Sequence, residues 1–349
     1  MLLGIFVPAL DQPPLRVVER RVLCPSTEAM QTNLIPAMIG LADGRLLAVW
    51  CSGPGPETNL ERFIVAAHST DGGRTWTEPV TIVDTPGKCD INPTLLQSEA
   101  GEVLMFYHQW EGHHETRLRR SGDAGVTWSE PEAEHPHCAV QGARALRIGP
   151  GHFVLPGHFW PDDGTNRGRA GCIVTEDDGK TWRVGKATIT LEHYRGLMEP
   201  SVAPLADGTL LMAIRTCAGY VYFSRSTDNG ETWAEPWPGK QFPAPQAPGR
   251  LLRTADGRLL MAYSHGAPLE PNSHKPRNAL ALVQSTDDGK TWSQPLLIEG
   301  QEDADIQISY PAMAQVGDEV VIIYHHQPGY VSQGTRGASE IHLARVSLR

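Results

Sequence analysis

The apolar residues of this chain come in short runs, each behind a tight turn that carries glycine. The runs are LADGRLLAVW from Leu41, SEAGEVLMFYHQW from Ser98, IGPGHFVLPGHFW from Ile148, LADGTLLMAIR from Leu205, TADGRLLMAY from Thr254 and VGDEVVIIYHH from Val316. A glycine turn followed by a short apolar run predicts a strand leaving a hairpin. Between 21 and 31 residues after each of the first five runs begins, an octapeptide returns: STDGGRTW at 69–76, SGDAGVTW at 121–128, TEDDGKTW at 175–182, STDNGETW at 226–233 and STDDGKTW at 285–292. Its aspartates, Asp71, Asp123, Asp177, Asp228 and Asp287, stand 52, 54, 51 and 59 residues apart. The chain is therefore built from one repeated supersecondary unit.

Each unit reads as strand, glycine turn, strand, variable loop, strand, octapeptide turn, strand, which is the four-stranded blade of a β-propeller. Six units are present, and the last ends at Arg349 without room for another octapeptide. The missing strand of blade six is expected from the N-terminal segment LRVVERRVL, within 15–24, which closes the ring and leaves no long sheet edge exposed. The expectation is an all-β, six-bladed propeller occupying 1–349 as a single domain. A parallel solenoid is the competing repeat fold, but its units are shorter and it needs two caps.

The octapeptide has a physical reading of its own. An aspartate in a turn accepts backbone N–H bonds, glycine supplies a positive φ, and Thr-Trp opens the next strand with a ring that buries against the blade. These are folding devices. With 35 Gly and 28 Pro the composition is turn-dense, and 40% hydrophobic residues suit a globular chain. The net charge of -10, without a block of five like charges, offers no stripe to neutralise phosphates, so no nucleic-acid partner is expected. No apolar run approaches the ~18 residues of a membrane helix. The opening MLLGIFVPAL lacks a basic flank and a small-x-small cleavage pattern, so cytoplasmic location is expected and membrane association is not. The six cysteines, Cys24, Cys51, Cys89, Cys138, Cys172 and Cys217, form no CxxC pair and read as reduced, buried thiols.

Function has to come from the channel. A blade's first strand runs along the central channel and the second returns antiparallel, so the start of one and the end of the other share a face. The first-strand starts are NLIP at 33–36, DINP at 90–93, QGAR at 141–144, EPS at 199–201, GRL at 249–251 and SYP at 309–311. The second strands end at Trp50, His108 with Trp110, His158 with Trp160, Arg215, His265, and His325 with His326. A pocket of Arg, Glu, Tyr, His and Trp suits a sugar, because aromatic faces stack on pyranose rings and charged groups orient substituents.

The octapeptide pattern S/T-x-D-x-G-x-T-W is the Asp-box, and over nearly its whole length the chain resembles the sialidase-like superfamily. The most specific segment is EPSVAPLADGTLLMAIRT at 199–216. By that resemblance Glu199 is the base partner of a tyrosine nucleophile, and Arg215 is one of three arginines that hold the substrate carboxylate. In PRNALALVQSTDDGKTW the resemblance places a second such arginine at Arg277, and in SYPAM it places the nucleophile at Tyr310. The chemistry needs these types. A tyrosine has a pKa near ~10, so forming phenolate at neutral pH requires a carboxylate to take the proton. Arginine binds carboxylate bidentately and stays charged in a dry pocket.

The chain departs from the family in two places. Sialidases open blade one with Arg-Ile-Pro, whereas here Asn33 and Leu34 precede Ile35 and Pro36. Arg250 on blade five is the candidate substitute. The blade-one loop SGPGPETNLERFIVAAHS has no acid/base aspartate, only Glu57 and Glu61, with Asp90 a further carboxylate at the channel mouth. Fourteen histidines, with His108, His158, His265 and His325 at strand ends, go beyond the resemblance and are expected to hydrogen-bond sugar hydroxyls, beside Trp50 and Asn33. No HExxH or close ligand spacing is present, so no metal or cofactor is expected. The resulting expectation is an exo-acting glycoside hydrolase of sialidase type with an anionic sugar substrate. The alternatives are a uronate-directed lyase or hydrolase using the pocket histidines, and a non-catalytic glycan-binding propeller.

Overall fold

The computed structural model describes residues 14–55, 60–110, 114–132, 138–142, 144–161, 163–192, 195–266, 277–301, 304–330 and 337–349. Six antiparallel sheets form the blades of a propeller. Blade one runs Thr32–Gly40, Leu46–Gly53, Phe63–Ser69, Val80–Val83 from the channel outward. Blades four and five repeat that order, starting from inner strands Met198–Pro204 and Arg250–Arg253. Blade two has three strands, and its fourth position is a single bridge between Leu118 and Glu132. In blade three the inner strand is Leu146–Gly149, and further up the channel Ala139 bridges to His158. Blade six closes as expected: Arg16–Cys24 pairs antiparallel with Glu340–Ser347 outside the Ile306–Val316 and Glu319–Pro328 hairpin.

The hydrophobic core is divided into six clusters, one in each gap between neighbouring blades. The Asp-boxes act in these gaps. In each, the aspartate accepts the N–H and the hydroxyl of the Thr four residues on, as Asp71 does from Thr75 at 2.8 and 2.6 Å. The tryptophan indole donates to the box glycine's carbonyl, as in Trp76 Nε1 to Gly73 O at 3.1 Å. That glycine has positive φ in all five boxes and lies against the second strand of the preceding blade. A Cβ on Gly125 would stand 2.6 Å from Leu47, and one on Gly73 would stand 3.1 Å from Val321, so the wedge of blade one seals it to blade six. Three tryptophans, Trp76, Trp233 and Trp292, stand four residues before the outer strands Val80–Val83, Trp237–Pro243 and Leu296–Gly300, whereas Trp182 directly adjoins Arg183–Val184. The loop must first bring the indole back under its own glycine. All six cysteines are free and buried.

A β-bulge recurs at the channel end of four inner strands. Register shifts fall between Leu34 and Ala37, Ile91 and Thr94, Met198 and Ser201, and Ser309 and Ala312. Each bulge holds a non-glycine residue at positive φ directly before a proline: Ile35 at 50°, Asn92 at 58°, Glu199 at 44° and Tyr310 at 53°. Such conformations cost of order 1–3 kcal/mol each. A bulge re-aims its side chain, and strain kept at equivalent places in four blades makes this end of the channel the candidate site.

Candidate active site

Two of the four bulge residues meet. Tyr310 donates its hydroxyl to Glu199 Oε1 at 3.2 Å, and Arg215 Nη1 reaches the same carboxylate oxygen at 2.6 Å and the Tyr310 oxygen at 3.1 Å. Blades four and six thus supply a base, a guanidinium and a phenol around one shared point. Antiparallel pairing of Met198 with Arg215 puts the end of the second strand of blade four beside the bulge of its first. The Glu199 and Arg215 side chains are 5% and 11% exposed, so this ion pair is insulated from water. Burial alone would raise the Glu199 pKa, but the Arg215 charge and hydrogen bond, with the Arg250 charge, more than offset it and hold the carboxylate at about 2. Desolvation likewise opposes the charge of Arg215, and Glu199 and Tyr310 reverse that, so its pKa is raised.

The main chain of Glu199 is clamped from both sides. Its N–H donates to His158 Nδ1 at 3.3 Å, which leaves the proton of the neutral imidazole on Nε2, and its carbonyl accepts from Arg250 Nη1 at 3.2 Å. Arg250 also donates to the Gln141 carbonyl, so it reaches from blade five to blades four and three with Nη1 and Nη2 on backbone oxygens. Burial lowers its pKa to about 10, against the favourable charges of Glu199 and Tyr310. Arg277 lies over the Tyr310 ring, its Cζ 5.6 Å from the centroid, within cation–π range. Four of the candidates from sequence, Tyr310, Glu199, Arg215 and Arg277, therefore converge, and Arg250 and His158 hold the bulge that presents Glu199.

The other candidates lie elsewhere. Asn33 is fully buried and its Oδ1 accepts from Trp50 Nε1 at 3.0 Å and Ser52 Oγ at 2.9 Å; Trp50 packs in the cluster between blades six and one. Asp90 accepts from the Thr85 N–H at 2.8 Å and from Gln109 Nε2 at 3.0 Å, so its carboxylate is engaged beside blade two. His108 bonds Asn92 at 3.2 Å through Nδ1 and the Cys138 carbonyl at 3.3 Å through Nε2. His108 and His158, with Trp160 and Gln141, line a small cleft between blades two and three. His265 pairs with the Tyr263 hydroxyl at 2.9 Å. His325 is buried next to Ser309; desolvation, then the Arg277 charge, lowers its pKa to about 3, so it stays a neutral imidazole. Glu61 is exposed, and Glu57 lies outside the described residues. Asn92, the bulge residue of blade two, was not a candidate from sequence; its position in DINP, matching Tyr310 in SYP, is the signal that would have found it. A cavity of about 590 Å³ opens at the opposite end of the channel, lined by the far ends of the inner strands, and is remote from this constellation.

Among proteins of known sequence, the chain is 27% identical over 312 residues to a sialidase of Micromonospora viridifaciens, covering 76% of this chain and 46% of that protein. It is 25% identical over 346 residues to a sialidase of Bacteroides fragilis, covering 85% and 60% respectively. The chain thus spans about half the length of these relatives. Among solved structures, a protein of unknown function from Dyadobacter fermentans superposes with a TM-score of 0.78 at 20% identity, over 97% of this chain and 100% of that one, which shows a common fold. The model of the BNR repeat-like domain matches residues 44–323, a span that contains all five Asp-boxes and both halves of the Glu199–Tyr310 pair, and the chain belongs to that family.

Proposed function

We propose that this chain is an exo-acting glycoside hydrolase that removes a terminal acidic sugar, sialic acid or a close relative, through a covalent intermediate on Tyr310. The observation that carries the reading is the shared contact of Tyr310 Oη, Glu199 Oε1 and Arg215 Nη1. Tyrosine nucleophiles are a recognised exception to the two-carboxylate rule, and they avoid driving one anion at another, since the substrate carries its own carboxylate. A carboxylate held at about 2 is a weak base by itself. Arg215 touches both oxygens, so when the proton moves from Tyr310 to Glu199 the negative charge passes between two atoms already facing the same guanidinium.

In the first step the Tyr310 oxygen attacks the anomeric carbon, its proton goes to Glu199, and the glycosidic bond breaks with its electrons on the leaving oxygen. That oxygen takes a proton from a general acid, for which the blade-one loop offers Glu57 and Glu61. In the second step water attacks the same carbon and gives a proton back to that residue, the bond to Tyr310 breaks, and Glu199 returns the proton to the phenol. Arg277, over the Tyr310 ring, and Arg215, beside its hydroxyl, are the arginines that would hold the substrate carboxylate. Arg250, tied to the Glu199 and Gln141 carbonyls, holds the bulge that presents Glu199 and is not free to take the substrate carboxylate.

A uronate in place of sialic acid is the second reading. It is favoured by blade one, where Leu34 and Ile35 stand at the family's Arg-Ile-Pro position and the carboxylate clamp is one arginine short. A screen of purified protein against aryl glycosides of sialic, deaminated sialic and uronic acids separates the two. Release of aryl alcohol from a sialoside supports the first, release from a uronide alone supports the second, and binding without release from any would overturn both in favour of a glycan-binding propeller.

A further inference from the structure

We propose that Glu299, His326 and His342 form a binding site for a zinc-type dication in the gap between blades five and six, separate from the Tyr310 site. Glu299 comes from the outer strand of blade five, Leu296–Gly300, while His326 and His342 come from the second and third strands of blade six. One ligand atom from each residue lies within 4.8 Å of the others. Glu299 Oε2 stands 3.1 Å from His342 Nδ1, and Glu299 Oε1 stands 3.8 Å from His326 Nε2. Donors of a tetrahedral site with ~2.0–2.1 Å bonds are separated by only a little over 3 Å, so modest movement closes this set.

The surroundings are those of a metal site. His342 Nε2 faces Glu340 Oε2 at 3.1 Å, the carboxylate–histidine arrangement that fixes a ligand's tautomer and leaves Nδ1 for the ion. Tyr324 donates its hydroxyl to Glu299 Oε2 at 2.5 Å, orienting the carboxylate. Two carboxylates, two imidazoles and a dication are also neutral in sum, which suits a pocket where His326 is 9% exposed. His326 itself is otherwise unexplained: its buried Nδ1 has no hydrogen-bond partner, and its Nε2 is beyond hydrogen-bond reach of Glu299. The two rings stack at 4.0 Å with an interplanar angle of 13°. Parallel rings cannot both aim in-plane lone pairs at one ion, so filling the site requires His326 to turn about its Cβ–Cγ bond, and it gives up no hydrogen bond in doing so. Sequence spacing hides this set, because its members are 27 and 16 residues apart on different strands.

Chelator-treated protein titrated with ZnCl₂ in equilibrium dialysis tests the site. One equivalent bound with Kd below about 1 µM is expected, as for sites of this ligand type. Glu299→Gln, His326→Gln and His342→Gln should each weaken binding by roughly 100-fold, Glu340→Gln by about 10- to 100-fold, and His152→Ala on blade three should leave it unchanged. Absence of stoichiometric zinc in the wild type, or binding unaltered by the three ligand substitutions, would overturn the proposal. Neither result bears on the hydrolase reading, since the two sites share no residue.

Discussion

At the scale of single residues, three atoms carry the account, and in the proposed reaction they act as a unit. Tyr310→Phe and Glu199→Gln should each lower turnover by several orders of magnitude, and the double variant should be little worse than either, because residues that act together are non-additive. Additive losses measured in steady-state kinetics would separate their roles. Arg215 also holds a buried charge in balance, so Arg215→Ala should cost about 3–5 kcal/mol in chemical denaturation by leaving the Glu199 carboxylate unpaired. Glu199, Tyr310, Arg215 and Arg277 were legible in the sequence because a motif names them at the right strand ends. Asn33 and Trp50 were assigned to the pocket by counting along strands, and the structure puts them between blades six and one. For Asn33 the bulge between Leu34 and Ala37 breaks that count, since one inserted residue reverses which face a side chain takes, and Trp50 stands three residues before the end of its strand at Gly53. The repeated x-Pro at four strand starts was visible, but nothing in a sequence says that the residue before proline has swung to positive φ.

At the scale of elements, the Asp-box does two jobs: its hydrogen bonds tie the turn, and its glycine and tryptophan wedge one blade onto the preceding one. Trp233→Ala should lower stability by roughly 3 kcal/mol or more through the cavity left between blades three and four, with the chemistry of the folded protein unchanged. A large loss of kcat in protein that remains folded would contradict a purely structural box. The boxes also set an acid limit. Hydrogen bonds from Thr181, opposed by partial burial, hold Asp177 at about 2, and Thr75 and Thr127 hold Asp71 and Asp123 well below the usual range. These folded values lie below the unfolded value near ~4, so the stability they add is complete above that pH and lost as pH falls toward 2. Denaturation midpoints measured between pH 5 and 2 should fall for the wild type and fall less for Asp177→Asn, whose starting stability is lower. Sequence displayed the boxes at once; it could not show that their glycines contact the neighbouring blade, because those contacts reach well beyond one repeat, as from Gly125 to Leu47 and from Gly73 to Val321.

At the scale of the molecule, the ring is held by six interfaces and one strand from the opposite end of the chain. Arg16–Cys24 pairs with the last strand, and its arginines reach both neighbours: Arg20 donates to the Ile298 carbonyl of blade five at 3.1 Å, and Arg21 to the Gly73 carbonyl of blade one at 2.9 Å. Removing residues 1–24 should therefore lower the Tm by at least about 5 °C, and an unchanged Tm would place closure elsewhere. Ring closure was readable from sequence because five complete repeats and one short one leave a strand to be found. A closed ring keeps Glu199 of blade four and Tyr310 of blade six within 3.2 Å across 111 residues of chain, and the proposed chemistry depends on that fixed distance. The most direct test is peptide-mapped mass spectrometry of the protein after reaction with an activated fluorinated glycoside of the acidic sugar proposed as its substrate. The account predicts one covalent sugar adduct on Tyr310, absent in Tyr310→Phe. An adduct on another residue, or turnover by wild-type protein with no adduct at Tyr310, would contradict it.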